Sequence, residues 1–430
     1  MMPRMLVGLR KSIRGGGFAG NVSKIAGGAG AGQLAILLAS PLLTRLYAPE
    51  DFGVLAVYVS MFSLVVVFAG LRFEGAIPLP DDDRDALALL VLAGGSIFVV
   101  CLALAVVAWT LSPEIAALLN ASALELHLWV VPAAVLVVGI YQVMSFWAIR
   151  RRAFGAIART RLHQGLAMAV AQTVLGLVSR GPLGLLLGDV VGRAIGITTL
   201  VRRSMRRADL MAVGGLRPAS LLDAAQRFKR FPLLSAPSRI INAAGLQLPP
   251  ILLAAFYGTE VAGWFLLAQR LVGAPASLIG QAVAQVYLGE VATVVRHTGS
   301  PIRPLLFRTV RMLLLVGAPP ILLLMLVGPW TFSVVFGSDW AVSGQYVRLT
   351  ALMFLAQFVV VPVSETLNIV ERQDLQLWWD VGRLFASLGA ILVAHLAALD
   401  HVSAVFLYGS GMLAAYLVLL RLVEVATRGR

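Results

Sequence analysis

The stretch LLTRLYAPEDFGVLAV, Leu42 to Val57, returns 210 positions later as LLAAFYGTEVAGWFLL, Leu252 to Leu267. In register the copies share Tyr47 with Tyr257, Glu50 with Glu260 and Gly53 with Gly263, the pattern Y-x-x-E-x-x-G. Each copy closes one apolar run and opens another, which is what a duplicated helical unit leaves behind. The corner suits a helix start: Pro49 fits a first turn, and Glu50 and Asp51 favour the positive end of the helix dipole. Thr259 and Glu260 do the same in the second copy. Gly53 and Gly263 let a neighbouring helix approach closely. These features assign the corner to folding and leave function to the helices it joins.

Around this repeat the chain of 430 residues is 59% apolar and only 13% charged, with a mean hydropathy of +0.88. Ordinary soluble domains do not have that composition. Twelve apolar runs, approximately 22–46, 52–72, 86–111, 126–148, 159–179, 182–201, 233–256, 261–288, 309–329, 346–370, 376–399 and 402–424, each reach the length a helix needs to cross hydrocarbon. None alternates polar and apolar residues as a membrane-barrel strand would. The expectation is an all-α integral membrane protein of about 12 transmembrane helices. One long connection, VRRSMRRADLMAVGGLRPASLLDAAQRFKR, divides the runs six and six. It gives an N-terminal lobe over 1–203, a basic linker over 204–230 and a C-terminal lobe over 231–430.

The formal net charge is +14, but the basic residues lie between apolar runs. They read as orientation signals and not as a nucleic-acid footprint. Of the 35 Lys and Arg, 28 fall on the side of the termini and the long connection, and only Arg45 and Arg180 on the other. By the positive-inside rule both termini are then cytoplasmic. Basic residues of the linker also suit anionic lipid headgroups. Cys101 is the only cysteine, so no intrachain disulfide and no cysteine metal site can form. The N-terminal MMPRMLVGLRKSIRGGG lacks the compact apolar core and cleavage site of a signal peptide.

Soluble-enzyme signatures are missing: there is no Gly-Lys-Ser/Thr phosphate loop, no H-E-x-x-H and no Cys/His cluster. The sequence implies no catalytic residue, no metal ligand and no cofactor, hence no enzyme. Of five histidines only His395 lies well inside a run. Charges inside spans are costly and are functional candidates by default. Asp189 with Arg193, and Asp380 with Arg383, are spaced to neutralise each other on one helix face. Arg45, Arg239 and Arg270 have no such same-helix acid, and Arg72 sits with Glu74 at a span boundary. A planar guanidinium in a partly dry cavity binds phosphate through a bidentate fork, so these four arginines are candidate substrate-binding residues for a pyrophosphate. Snorkelling to an interface is the alternative reading of each. Pro41 in the first run lies within one residue of Pro250 at the 210 offset, and Pro249 adjoins it. Interrupted helices at matching positions of two halves mark transporter binding sites, which gives these prolines an expected gating or structural role.

Three stretches carry a resemblance: TRLYAPEDFGVLAVY at 44–58, GLRFEGAIPLPDDDRDALAL at 70–89 and AGWFLLAQRLVGAPASLIGQAVAQVYLGE at 262–290. They resemble the oligosaccharide flippases of the polysaccharide synthase family, Wzx-like members of the MOP exporter superfamily. The resemblance implies two parallel six-helix lobes around a central, cation-lined cavity in the bacterial inner membrane. It implies an undecaprenyl-pyrophosphate-linked oligosaccharide, turned from the cytoplasmic to the periplasmic leaflet by alternating access for O-antigen, capsule or exopolysaccharide assembly. The implied partners are that anionic lipid, membrane lipid, and polysaccharide polymerase and chain-length proteins. Arg270, within AQRL, lies on the best-matching stretch, while Arg45 and Arg239 are placed by cavity position. GLRFEGAI puts Arg72 and Glu74 at the cytoplasmic mouth, either as an internal salt bridge or in contact with substrate. Three rivals stay open, one of them a non-transporting partner of a synthesis complex. A drug exporter of the same superfamily would place an acidic residue in the cavity, and a membrane-embedded polysaccharide polymerase or ligase would need a sizeable extracytoplasmic loop.

Overall fold

The computed structural model describes residues 18–179, 181–293 and 302–427, which form helices and turns with no strand among them. The basic segment before Phe18, together with Arg180, Arg296, Arg428 and Arg430, lies outside the described residues. Twelve long helices follow in order: α1 Phe18–Leu46, α2 Pro49–Ala69, α3 Asp83–Thr110, α4 Val130–Arg150, α5 Phe154–Val178, α6 Leu183–Ala194, α7 Ala236–Tyr257, α8 Thr259–Thr293, α9 Arg303–Phe336, α10 Ala341–Ser364, α11 Gln373–Leu396 and α12 His401–Thr427. After a break at Ile195–Gly196, where Gly196 has φ of 92°, α6 resumes as Ile197–Ser204. Eleven of the described segments are long and apolar enough to cross a membrane. The remaining helix, α5, has 25 residues and sufficient length. Arg159, Arg161, His163, Gln164 and Gln172 dilute its apolar character.

Local chemistry sets the helix ends. The Asp51 carboxylate accepts from Ala48 N at 3.0 Å where α2 begins, Asp82 accepts from Arg84 N at 3.0 Å before α3, and Asp400 accepts from Ser403 N at 3.0 Å before α12. Each satisfies a backbone donor that a helix start leaves over. The prolines do not break their helices: α1 runs through Pro41, and α7 through Pro249 and Pro250. A proline removes one i→i−4 bond while the flanking turns keep the rest of the ladder. The irregular backbone lies upstream, in a π-helical turn over Phe231–Ser235 that leads into α7.

Contacts gather the chain into two compact units, one of residues 1–43, 61–112 and 125–240, the other of 44–60, 113–124 and 241–430. In the first, small residues bring α1, α5 and α6 together. A Cβ on Gly28 would fall 2.2 Å from Ala158 O, and one on Gly188 2.6 Å from Gln172 Cγ. The same-helix pair on α6 forms, Arg193 Nε donating to Asp189 Oδ2 at 2.7 Å. The basic linker is helical at Arg207–Gly214 and Pro218–Arg227 and docks on this unit. Arg151 bridges Asp83 at 3.0 Å and Asp209 at 2.6 Å, Arg150 joins Asp83 at 2.8 Å, and Arg227 meets Asp85 at 2.9 Å.

In the second unit the two repeat corners meet. A Cβ on Gly53 would fall 1.7 Å from Thr259 O, and one on Gly263 1.9 Å from Pro49 O. Thr259 follows Pro49 by the same offset as Gly263 follows Gly53, so the contact is reciprocal, as at a two-fold interface between copies. Trp340 closes over it, its Nε1 donating to Thr44 O at 3.1 Å and its ring edge-on to Phe52 at 4.8 Å. Trp264, in the second copy, donates to Asp339 O at 2.7 Å. Deeper in, the expected pair on α11 forms at 3.3 Å between Arg383 and Asp380, and Asn242 of α7 donates to the same carboxylate at 3.0 Å.

Candidate functional site

Arg72 stands at a turn that the surrounding residues hold against its own preference. Between the end of α2 and the short helix Phe73–Ala76, both Leu71 and Arg72 have positive φ, 49° and 61°. Left-handed backbone costs a non-glycine residue roughly 1 kcal/mol or more, so neighbours must over-determine it. Gly70 contributes by being small, since a Cβ there would lie 2.6 Å from Glu74 Oε2. Arg72 Nη1 donates to Glu74 Oε1 at 3.0 Å, and Glu74 is 2% exposed. Of the two readings open from sequence, the internal salt bridge is present.

That pair is only half satisfied. Glu74 Oε2 and Arg72 Nε are buried and have no hydrogen-bond partner among the described residues. Leaving such groups dry costs about 1–3 kcal/mol each, more where they are charged. Burial lifts the Glu74 carboxyl above the usual carboxylate range, and the charges of Arg72 and Arg239 oppose the lift. Arg239 is exposed near the start of α7 yet close enough to act on both members of the pair. The π turn reaches the same place: a Cβ on Gly75 would stand 3.6 Å from both the Arg72 guanidinium and the Phe231 ring. The first unit thus gathers Arg72, Glu74 and Arg239 into one cluster.

Arg270 and Arg45 belong to the second unit. Arg270 is half-buried on α8, with Nη1 closed to solvent and its guanidinium carbon 6.0 Å from the Phe52 ring centroid. That distance is at the edge of a cation–π contact. Phe52 sits in the first corner, so the repeat contact fixes the ring that Arg270 faces. Arg45 is exposed in the last turn of α1. Pro249 and Pro250 are buried in α7, and Pro41 is half-buried in α1. His395 is not deep in a span: α11 ends at Leu396, and the ring stacks on Phe256 at 4.1 Å in the last turn. No cluster of three metal-ligating side chains occurs among the described residues.

Sequence reasoning missed the left-handed turn, the π turn with Phe231, and the Asp83–Arg150–Arg151–Asp209 knot. A signal for the knot was present, in PLPDDDRD at 78–85 and three consecutive arginines at 150–152.

A sequence model of the family described as "Polysaccharide biosynthesis protein" matches residues 42–345. The chain is 28% identical over 157 residues to the teichuronic acid biosynthesis protein TuaB of Bacillus subtilis (strain 168), a match covering 36% of this chain and about a third (32%) of TuaB. It is 24% identical over 372 residues to the succinoglycan biosynthesis transport protein ExoT of Rhizobium meliloti (strain 1021), covering 82% of this chain and 69% of ExoT. Among solved structures, the lipid II flippase MurJ in an inward closed conformation superposes with a TM-score of 0.74 at 12% identity, over 91% of this chain and 86% of MurJ. An inward-facing multidrug resistance MATE transporter of the MOP superfamily gives 0.66 at 14% identity, over 92% and 95%. These likenesses show that the chain shares the helical membrane fold of those two proteins.

Proposed function

The chain belongs to the polysaccharide biosynthesis protein family, and on that premise we propose that it is a flippase for a polyprenyl-pyrophosphate-linked oligosaccharide. It carries this lipid from the cytoplasmic to the periplasmic leaflet of the bacterial inner membrane by alternating access, for O-antigen, capsule or exopolysaccharide assembly. No bond of the cargo is cleaved, so the protein is a transporter and not an enzyme. Both termini and the basic linker face the cytoplasm, as the distribution of Lys and Arg supports. On the periplasmic side the product passes to polymerase and chain-length proteins.

The observation that carries the reading is the half-satisfied Arg72–Glu74 pair beside Arg239. A diphosphate suits such a cluster: its oxygens would accept from the Arg72 Nε–H and compete with Glu74 for the rest of the fork. Arg239 adds a second cation. On the second unit, Arg270 and Arg45 are further candidate binding residues for the diphosphate. Each arginine is a binding residue and none is a chemical catalyst.

Deleting the gene is expected to strip surface glycan and accumulate an undecaprenyl-linked oligosaccharide in the cytoplasmic leaflet. Wild-type protein restores export, and Arg72→Ala at normal membrane abundance does not. Unchanged surface glycan with raised drug sensitivity in the deletion would replace this reading with that of a drug exporter.

A further inference from the structure

Beside Arg72, on the first unit, lies an apolar groove of about 420 Å³ that the diphosphate reading does not use. Leu92, Gly95, Ser96 and Val99 of α3 line it, with Leu71 of the left-handed turn and Leu221 of the linker helix Pro218–Arg227. Ser96 adds no polarity, because its hydroxyl donates to Leu92 O of its own helix at 2.8 Å. Arg227 of the linker helix pairs with Asp85 at the start of α3 at 2.9 Å.

The turn joins this groove to the charged cluster. Leu71 lines the groove and the next residue, Arg72, pairs with Glu74, so two adjacent residues set the apolar and cationic ends of one place. Gly95 stands twelve residues into α3, about 18 Å along the helix from its charged start. The groove therefore runs along α3 from the side of the turn where Leu71 stands, one residue from Arg72 in the chain, to the depth of Val99. A chain whose own headgroup is a diphosphate matches both ends, whereas the tail of a bulk lipid has no use for the buried cation.

We infer that this groove holds the polyprenyl chain of the lipid-linked substrate while its diphosphate lies at Arg72. The inference rests on the flippase reading, but a separate outcome tests it. Gly95→Leu is the probe variant, because Gly95 lines the groove and a Cβ there meets no atom within 4 Å. Wild-type and variant protein would be reconstituted in vesicles of phosphatidylethanolamine and phosphatidylglycerol. A melting curve would check that the variant is folded. An undecaprenyl diphosphate bearing a diazirine on its chain would then be photolysed, and the binding of inorganic diphosphate measured in parallel.

The expected result is labelling of residues 91–100 in the wild type, reduced roughly tenfold in Gly95→Leu, with inorganic diphosphate bound equally by both. Diphosphate binding without that labelling, labelling unaffected by Gly95→Leu, or labelling displaced equally well by added phosphatidylglycerol, would overturn the tail site. The flippase reading would survive each of those results. Absence of both labelling and diphosphate binding in the wild type would remove both.

Discussion

Replacing Gly53 with alanine adds one methyl group where two helix corners already touch. The new carbon would stand 1.7 Å from Thr259 O, 2.4 Å from its carbonyl carbon and 2.9 Å from its Cα. All three obstacles are backbone, so no rotamer change relieves them, and the corners have to separate by roughly 1.5 Å to restore ordinary contact. Overpacking costs about 1–3 kcal/mol, and backbone obstacles put this site at the upper end. Alanine's better helix propensity returns up to about 1 kcal/mol, leaving a net loss near 2 kcal/mol. Gly263→Ala should cost a similar amount, since its methyl would meet Pro49 O at 1.9 Å. Because each glycine opens the same seam, the double variant should lose less than the two losses added, with a coupling of about 0.5 kcal/mol or more. The assay is thermal melting of detergent-solubilised protein together with its membrane abundance. Gly94→Ala serves as reference, since a Cβ there meets nothing within 4 Å. Wild-type melting of Gly53→Ala, or strict additivity in the double variant, would refute the reciprocal contact.

Arg270→Ala should reduce glycan export about tenfold or more at normal abundance, the loss of a hydrogen bond to a charged group being worth roughly 1.5–3 kcal/mol. Arg270→Lys should recover part of it, charge without the planar fork; wild-type export by a well-inserted Arg270→Ala protein would take this residue out of the site. For Glu74 the carboxyl is held above its usual range by burial. The folded protein therefore keeps a proton that the unfolded chain releases, and stability falls as pH rises from the ordinary carboxylate range through the raised value. In the same window, lowering pH neutralises Glu74 and frees Arg72, so diphosphate binding should strengthen. Glu74→Gln should flatten both curves, and an unchanged pH profile in that variant would assign the dependence elsewhere. A reporter inserted between Gly337 and Ser343 should read as extracytoplasmic, and a cytoplasmic readout there would invert the topology.

Span number, helical class, the repeat and the two same-helix ion pairs were legible because each depends on local spacing. Apolar runs of sufficient length have one stable form in a bilayer, and residues three or four apart on a helix meet whatever surrounds them. The rest depended on partners distant in sequence. Nothing local to Leu71 and Arg72 favours positive φ; the turn exists because Glu74 is buried behind Gly70. Pro41, Pro249 and Pro250 were expected to interrupt their helices, yet one missing hydrogen bond in α1 and two adjacent ones in α7 did not suffice. His395 looked central until the end of α11 placed it in a terminal turn. The linker helices hold their positions through Asp83, Asp85, Arg151 and Arg227, a pairing that sequence proximity does not show.

The repeat shows why scaffold and chemistry separate in this chain. Tyr, Glu and Gly of the corner persist in both copies, and the two glycines touch the opposite copy reciprocally. Moving the 210 offset along the chain, Arg72 and Glu74 correspond to Ala282 and Ala284, and Arg270 to Ser60. The first copy ends its helix at Ala69 and turns through the charged cluster, whereas α8 runs on unbroken to Thr293. A contact that both copies must make constrains both, so the corner could not drift without loss of the fold. The residues that would hold a diphosphate lie where no such reciprocal contact exists, and each copy was free to place its own cation. Fold-setting residues are therefore the ones the repeat reveals, and the residues proposed to bind the diphosphate are those that break it.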